Sequence, residues 1–350
     1  MRVVVVGATG NIGTSLLRSL AGEERVESVL GLARRPPGLT MPKVEWASAD
    51  VTSDDLAPHF QGADAVVSLH WLIQPSRDLN KQWMVNVEGN SRLMRAVREA
   101  GVPILVYSSS VGVYSPGPKD RYVDESWPRD GVPTSYYARH KAEVERRLDR
   151  FEAENPDVRV VRIRPALVFK KEAAQGIRRL FAGPFVPTIL ARPSLINLIP
   201  ELVNLRGQVV HSYDVGDAFR LTLVKDVRGA FNVAAEPVLD AREVGRILNA
   251  RPLPVPAGAA RAGVELSWRL RLQPITPGWL DMALNVPVMD TARARTELGW
   301  TPQRSADDAL LDLLEGLRTG ADLDTPPLSR GTSGPSRIRE ILTGVGGREP

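Results

Sequence analysis

RVVVVGATGNIGTSLLRSLA, residues 2–21, decides the fold. The valines at 3–6 form an unbroken β-branched run with no polar alternation, as expected of a strand buried on both faces of a parallel sheet. Gly7, Gly10 and Gly13 follow. Glycines so placed permit a tight turn, let the backbone approach a pyrophosphate and let the next helix pack on the strand. TSLLRSLA then carries its apolar residues at helical spacing. Strand, glycine turn and helix together are the setting a dinucleotide fingerprint requires, because the helix N-terminus offers N–H groups and its dipole to phosphates. The spacing is G-x-x-G-x-x-G, not G-x-G-x-x-G. The plainer reading, a glycine-rich turn without a ligand, is disfavoured by both flanks.

The next strand, 28–33, ends in Leu32-Ala33 and is followed by Arg34-Arg35-Pro36-Pro37. An acid at that strand end binds the ribose hydroxyls of NAD, whereas arginine accommodates a 2′-phosphate. No acid stands here, so NADP(H) is the expected cofactor, with NAD(H) possible. The alternative is a solvated loop in a chain that favours arginine.

Further along, SYYARHKAEVE places Tyr137 and Lys141 four residues apart on one helix face. An ammonium beside a phenol draws its pKa from ~10 toward neutrality, making a usable proton donor and acceptor. Alone, this spacing arises often by chance. The triplet Ser108-Ser109-Ser110 upstream offers a second hydroxyl for the same reacting oxygen. Its alternative reading is a turn or helix cap.

Strands read at 44–48, 63–69, 103–109 and 158–164 alternate with helices, one of them a long helix over 78–100. The alternation predicts an α/β, doubly wound parallel sheet with right-handed crossovers. A chain of 350 residues, 43% hydrophobic, can bury a substantial core in one large or two modest domains. The net charge of +4 is small and dispersed, which argues against a nucleic-acid partner. Cysteine is absent, so disulfides and thiolate metal sites are excluded and a cytoplasmic location is expected. His59, His70, His140 and His211 show no metal-ligand spacing, so no metal is expected. No apolar run approaches the ~20 residues of a membrane span.

The chain resembles the extended short-chain dehydrogenase/reductases, the NAD-dependent epimerase/dehydratase family, over roughly residues 1–318. The resemblance rests on GATGNIG, Asp50-Val51, NVEGN (86–90), VYSSSVGVY (106–114), Tyr137-Ala-Arg-His-Lys141, Arg164-Pro165, VVHSYDVGDAF (209–219), GAFNVA (229–234) and ELGW (297–300). It implies a Rossmann domain over 1–165 completed by about 207–235, and a smaller, mainly helical substrate-binding region over 166–206 and 236–318. Residues 319–350 read as a flexible or lightly docked tail, in which SRIREILTGV could form a short helix.

Carried across, the resemblance gives Ser110, Tyr137 and Lys141 as catalytic, with Tyr137 the acid/base and Lys141 also holding the nicotinamide ribose. Gly7, Thr9, Gly10, Asn11, Ile12 and Gly13 would hold the pyrophosphate side, and Asp50 and Val51 would flank the adenine. Leu69, His70 and Trp71 would line the nicotinamide side. Asn86, Ser109, Pro165 and Leu167 complete the cofactor-binding set with Arg34 and Arg35. Asp214 reads as the N-cap of a helix opening at Val215. PITPGWL (274–280) and Trp268 fall to the substrate lobe, and Trp300 to the core.

Leu167 stands where sugar-nucleotide members of the family carry asparagine, and GIRRLFAGPFVPTILARPSLINLIP (176–200) is apolar. The departure and the apolar stretch argue for a less polar small-molecule substrate, or the stretch is a buried helix that touches no substrate. The bulk of Trp71 would narrow the pocket, stack on a planar substrate or pack beneath the cofactor. The expected function is an NADPH-dependent reductase working at a carbonyl or carbinol carbon. The alternatives are a nucleotide-sugar epimerase/dehydratase with retained NAD, or a non-catalytic cofactor-sensing protein. A homodimer is usual in the family.

Overall fold

The computed structural model describes residues 1–181 and 196–329. Seven strands form one parallel sheet: β1 (Arg2–Val6), β2 (Ser28–Ala33), β3 (Val44–Ser48), β4 (Ala65–Ser68), β5 (Ile104–Ser108), β6 (Arg159–Pro165) and β7 (Gly229–Val233). They lie side by side in the order β3-β2-β1-β4-β5-β6-β7. Strand order therefore reverses between β1 and β4, and the crevice at their carboxyl ends is where open α/β sheets take ligands.

The valine run explains why β1 is central. Val3 and Val5 point into one apolar layer and Val4 and Val6 into the other, all four buried. The first layer is built from α1 (Asn11–Ala21) and Val215, Ala218 and Phe219 of a helix at Ser212–Val224. The second takes Leu93 and Val97 from α2 (Gly89–Glu99), and Val144 and Leu148 from α3 (Tyr136–Glu154). α3 begins cleanly because the Ser135 hydroxyl accepts from the Ala138 amide.

The predicted helix over 78–100 forms but is not α-helical throughout. A short helix, Leu79–Trp83, passes through a π-turn at Met84–Glu88 before α2 resumes at Gly89. Such turns leave no mark in apolar spacing.

Besides its helices, the chain outside the large sheet forms small sheets. Leu167–Phe169, Gly207–His211 and Ala235–Leu239 make a three-stranded sheet, and Leu198–Glu201 pairs with Arg251–Pro254. The helix at Ser212–Val224, labelled α4, opens three residues before Val215 and is capped by His211, whose side chain accepts from the Tyr213 amide. Asp214 is thus not its N-cap. It lies in the first turn, where its carboxylate binds the Arg304 amide at 3.1 Å and the Arg304 guanidinium at 3.0 Å. Trp300 is buried, and its indole N–H donates to the Asp214 carbonyl at 2.8 Å.

The C-terminal part continues through α5 (Pro277–Asn285) and α6 (Ala306–Thr319). Ser305 and Asp308 form a capping box at the start of α6, and left-handed Gly320 ends it. Of the tail read from residue 319, residues up to 329 are described, and Thr325 and Leu328 there are buried, as in a docked segment. Proline-rich composition there conceals a segment that packs on distant residues. SRIREILTGV and much of the apolar stretch at 176–200 lie outside the described residues. No described helix is long and apolar enough to cross a membrane.

Candidate active site

The glycine loop joins β1 to α1 at the crevice. Gly7 has φ +86°, and a Cβ there would lie 2.7 Å from the His70 amide nitrogen. A Cβ on Gly13 would meet the Ala8 carbonyl oxygen at 2.5 Å. Gly10 is the N-cap of α1 and offers no side chain to the first-turn amides. The Asn11 side chain donates to the Val168 carbonyl at 3.0 Å, while its own buried oxygen has no partner. Ile12 packs partly buried against the core. Uncapped amides at a helix N-terminus, held open by glycine, fit a diphosphate.

Around the loop, Arg34 and Arg35 are exposed after β2 and line a cleft of about 200 Å³ with Trp71 and Leu72. Asp50 turns into its own loop, accepting from the Thr52 amide and hydroxyl, and Val51 packs beside Gly89. Leu69, His70 and Trp71 leave the end of β4, with Leu69 bonded to the Val6 carbonyl at 2.8 Å. Burial pushes the His70 imidazole down to about 4, so it is neutral at pH 7. Asn86, inside the π-turn, pins this stretch by accepting from the Leu72 amide at 2.6 Å and donating to its carbonyl at 2.8 Å. Pro165 is buried at the end of β6, whereas Leu167 is half exposed on the small sheet.

Ser110, Tyr137 and Lys141 meet beyond β5. Ser110 accepts from the Gly112 amide at 3.1 Å, and its hydroxyl neighbours the Tyr137 phenol and favours its charged form. Lys141 donates to the Ser108 carbonyl at 2.7 Å and to the Tyr107 hydroxyl at 3.4 Å. Its nitrogen lies 3.6 Å from the Trp71 ring centroid but 6.0 Å from that of Tyr137. The phenol is therefore not near neutrality: burial pushes it up to about 12, although the Ser110 hydroxyl opposes this. Burial also drives the Lys141 ammonium well below its ordinary value, partly offset by Glu145. The helical spacing of the two residues is as read, but desolvation, not the lysine, sets the phenol.

Aromatic rings close the site. Trp71 meets Tyr137 edge-on at 5.7 Å, and Trp279 of α5 lies 4.8 Å from it with planes inclined by 37°. Phe181 abuts Trp279 at 4.9 Å. The indole of Trp279 donates to the Tyr136 hydroxyl, which donates to the Ile73 carbonyl, each at 3.2 Å. Val132, Met282 and Ile275 complete an apolar wall.

The family described as the NAD dependent epimerase/dehydratase family matches residues 3–234. The chain belongs to that family. Its members' enzymatic character and a nicotinamide dinucleotide come with this placement. Among curated relatives, a Mycobacterium tuberculosis protein described as uncharacterized is 23% identical over 321 residues, 91% of this chain but 30% of its own length. The chain thus spans about a third of that relative. The sterol-4-alpha-carboxylate 3-dehydrogenase, decarboxylating, of Saccharomyces cerevisiae is 30% identical over 200 residues, 56% of this chain and 52% of that one. Among solved structures, MoeE5 in complex with UDP-glucuronic acid and NAD superposes with a TM-score of 0.67 at 21% identity, covering 91% and 100% of the two chains.

Some supports of this epimerase/dehydratase-family site escape sequence reasoning. Glu145, fully buried, accepts from Ser109 at 2.6 Å and from the Arg164 Nε and Nη2 at 2.9 and 2.5 Å. Ser109 is thereby committed to holding the loop that carries Ser110. Arg164 also donates to the Tyr114 hydroxyl at 2.9 Å. The signal available was Glu145 itself, one helical turn beyond Lys141. Trp279 was visible only as part of the substrate lobe, and its stacking on Tyr137 bridges 142 positions that no local pattern connects.

Proposed function

We propose that this chain is an NADP(H)-dependent reductase acting on the carbonyl carbon of an apolar small molecule, with Tyr137 as proton donor. The observation that carries the reading is the Tyr137 phenol, next to Ser110 and walled by Trp71 and Trp279, beside a glycine loop able to hold a diphosphate. Bound nicotinamide would supply the hydride. The protein's part is then to deliver a proton to the oxygen as the carbon is reduced. A phenol raised to about 12 keeps that proton through the neutral range, which favours reduction. The Ser110 hydroxyl orients the same oxygen, and Lys141 contributes its donors at the floor of the site.

Two features support the finer points. Arg34 and Arg35 stand where an acid would select NAD, in favour of a 2′-phosphate. The aromatic wall offers area and few polar atoms, which suits an apolar ring-bearing ketone. The partial likeness to a sterol dehydrogenase accords with that substrate class. The second reading, a nucleotide-sugar epimerase with retained NAD, draws on the solved complexes with UDP-sugars and NAD that superpose over 91% of the chain.

The test is to incubate the purified protein with NADPH or NADH, offering apolar ketones and UDP-sugars in parallel. We expect NADPH to bind at least about tenfold tighter than NADH, as charge-assisted phosphate bonds provide. It should be consumed with ketones, and Arg34→Ala/Arg35→Ala should abolish the preference. Tighter NADH binding, or UDP-sugar interconversion without net cofactor consumption, would overturn the proposal.

A further inference from the structure

Residues 321–329 leave the cap of α6 and run to the glycine loop. Thr325, 1% exposed, donates its hydroxyl to the Thr9 carbonyl at 2.9 Å in a buried contact. Leu328, 3% exposed, anchors the far end. Between them, Pro326 and Pro327 line the same cleft as Arg34, Arg35, Trp71 and Leu72. Arg179 donates to the Pro327 carbonyl at 3.0 Å, tying the segment to the helix at Ala174–Phe181. On the other side, an Asp324 carboxylate oxygen lies 3.3 Å from where a Cβ on Gly38 would stand, three positions past Arg35. The turn is closed internally by the Leu328 and Ser329 amides, which donate to the Thr325 carbonyl at 3.0 and 2.8 Å.

We propose that 321–329 is a strap forming one wall of the dinucleotide site, and that its displacement limits how fast the dinucleotide enters and leaves. The proposal rests on the reading that the glycine loop and the arginine pair hold a dinucleotide. It adds a set of residues, Thr325 with Pro326 and Pro327, from outside the family match at 3–234. The chemistry suits a wall that opens and shuts. Two consecutive prolines are stiff and carry no N–H groups needing partners. The Thr325 link to the glycine loop is a neutral hydrogen bond, strong enough to bias closure and weak enough to break. A dinucleotide beneath the strap would be shielded on a side that the strand ends alone leave open.

Thr325→Val keeps the side-chain shape and removes the donated bond. In stopped-flow measurements of NADPH fluorescence, the variant should release NADPH about fivefold faster, one neutral hydrogen bond's worth, and bind it faster as well. An unchanged release rate in a variant that melts like the wild type would overturn the proposal. Should the variant not fold, hydrogen exchange on the wild type decides. The amides of residues 322–325, 328 and 329 should be slower to exchange with NADPH present, and equal exchange with and without it overturns the strap. A wild-type chain that binds neither NADPH nor NADH sinks the functional reading along with the strap. Binding with unaltered release and exchange sinks the strap alone.

Discussion

Tyr137 touches two indoles and one hydroxyl, and that company sets its protonation more than the lysine one turn along its helix does. With the phenol pushed up to about 12, the protonated form is the resting form. Reduction uses that form, so its rate should stay level from about pH 6 to about pH 10 and decline above, as the donor is lost. The reverse oxidation needs the phenolate and should climb with pH over the same interval. Initial rates in both directions across pH check the sign, and a reduction rate already falling between about pH 7 and 8 would contradict it. Replacing Tyr137 with Phe should lower kcat by ~10²–10⁴-fold while leaving NADPH affinity near wild type, as fluorescence titration would measure. The identities of these residues were legible because four-residue spacing is local. The pKa was not, because Trp71 and Trp279 approach only once the chain has folded.

At the scale of elements, α3 carries Tyr137, Lys141 and Glu145 on one face, and the last of these fixes the loop after β5. Burial would raise the Glu145 carboxyl, but the Arg164 guanidinium and the Ser109 hydroxyl hold it below its ordinary value. Glu145→Gln strands a buried arginine, so stability should fall by about 3–5 kcal/mol in denaturant unfolding. Adding Arg164→Met should restore most of that loss, since an apolar pair replaces the unbalanced charge. No recovery would mean that Glu145 acts through something other than Arg164. The glycine turn, β1 and the alternation of strand and helix could be read from sequence because each rests on short-range pattern. The π-turn at 84–88 and the opening of α4 at Ser212 could not, since a π-turn leaves no mark in apolar spacing and a histidine cap is not among the residue types that announce a helix start.

For the molecule as a whole, the α/β class was readable but the docking of its returning segments was not. α4 lies against α1 at Gly216, where a Cβ would come within 2.6 Å of the Ser15 carbonyl carbon. The hydroxyls of Ser15 and Ser212 meet there at 2.8 Å. Gly216→Val should therefore cost about 1–3 kcal/mol of stability, readable as a lowered melting temperature, because the helices must part to admit it. An unchanged melting temperature would show that the contact is looser than the backbone spacing implies. The bond between Thr325 and Thr9 joins residues 316 positions apart. During synthesis the glycine loop emerges early and waits for almost the whole described chain before that partner arrives. Until then Thr9 has no Thr325 to accept from, and the bond it finally makes closes one of the longest loops in the fold.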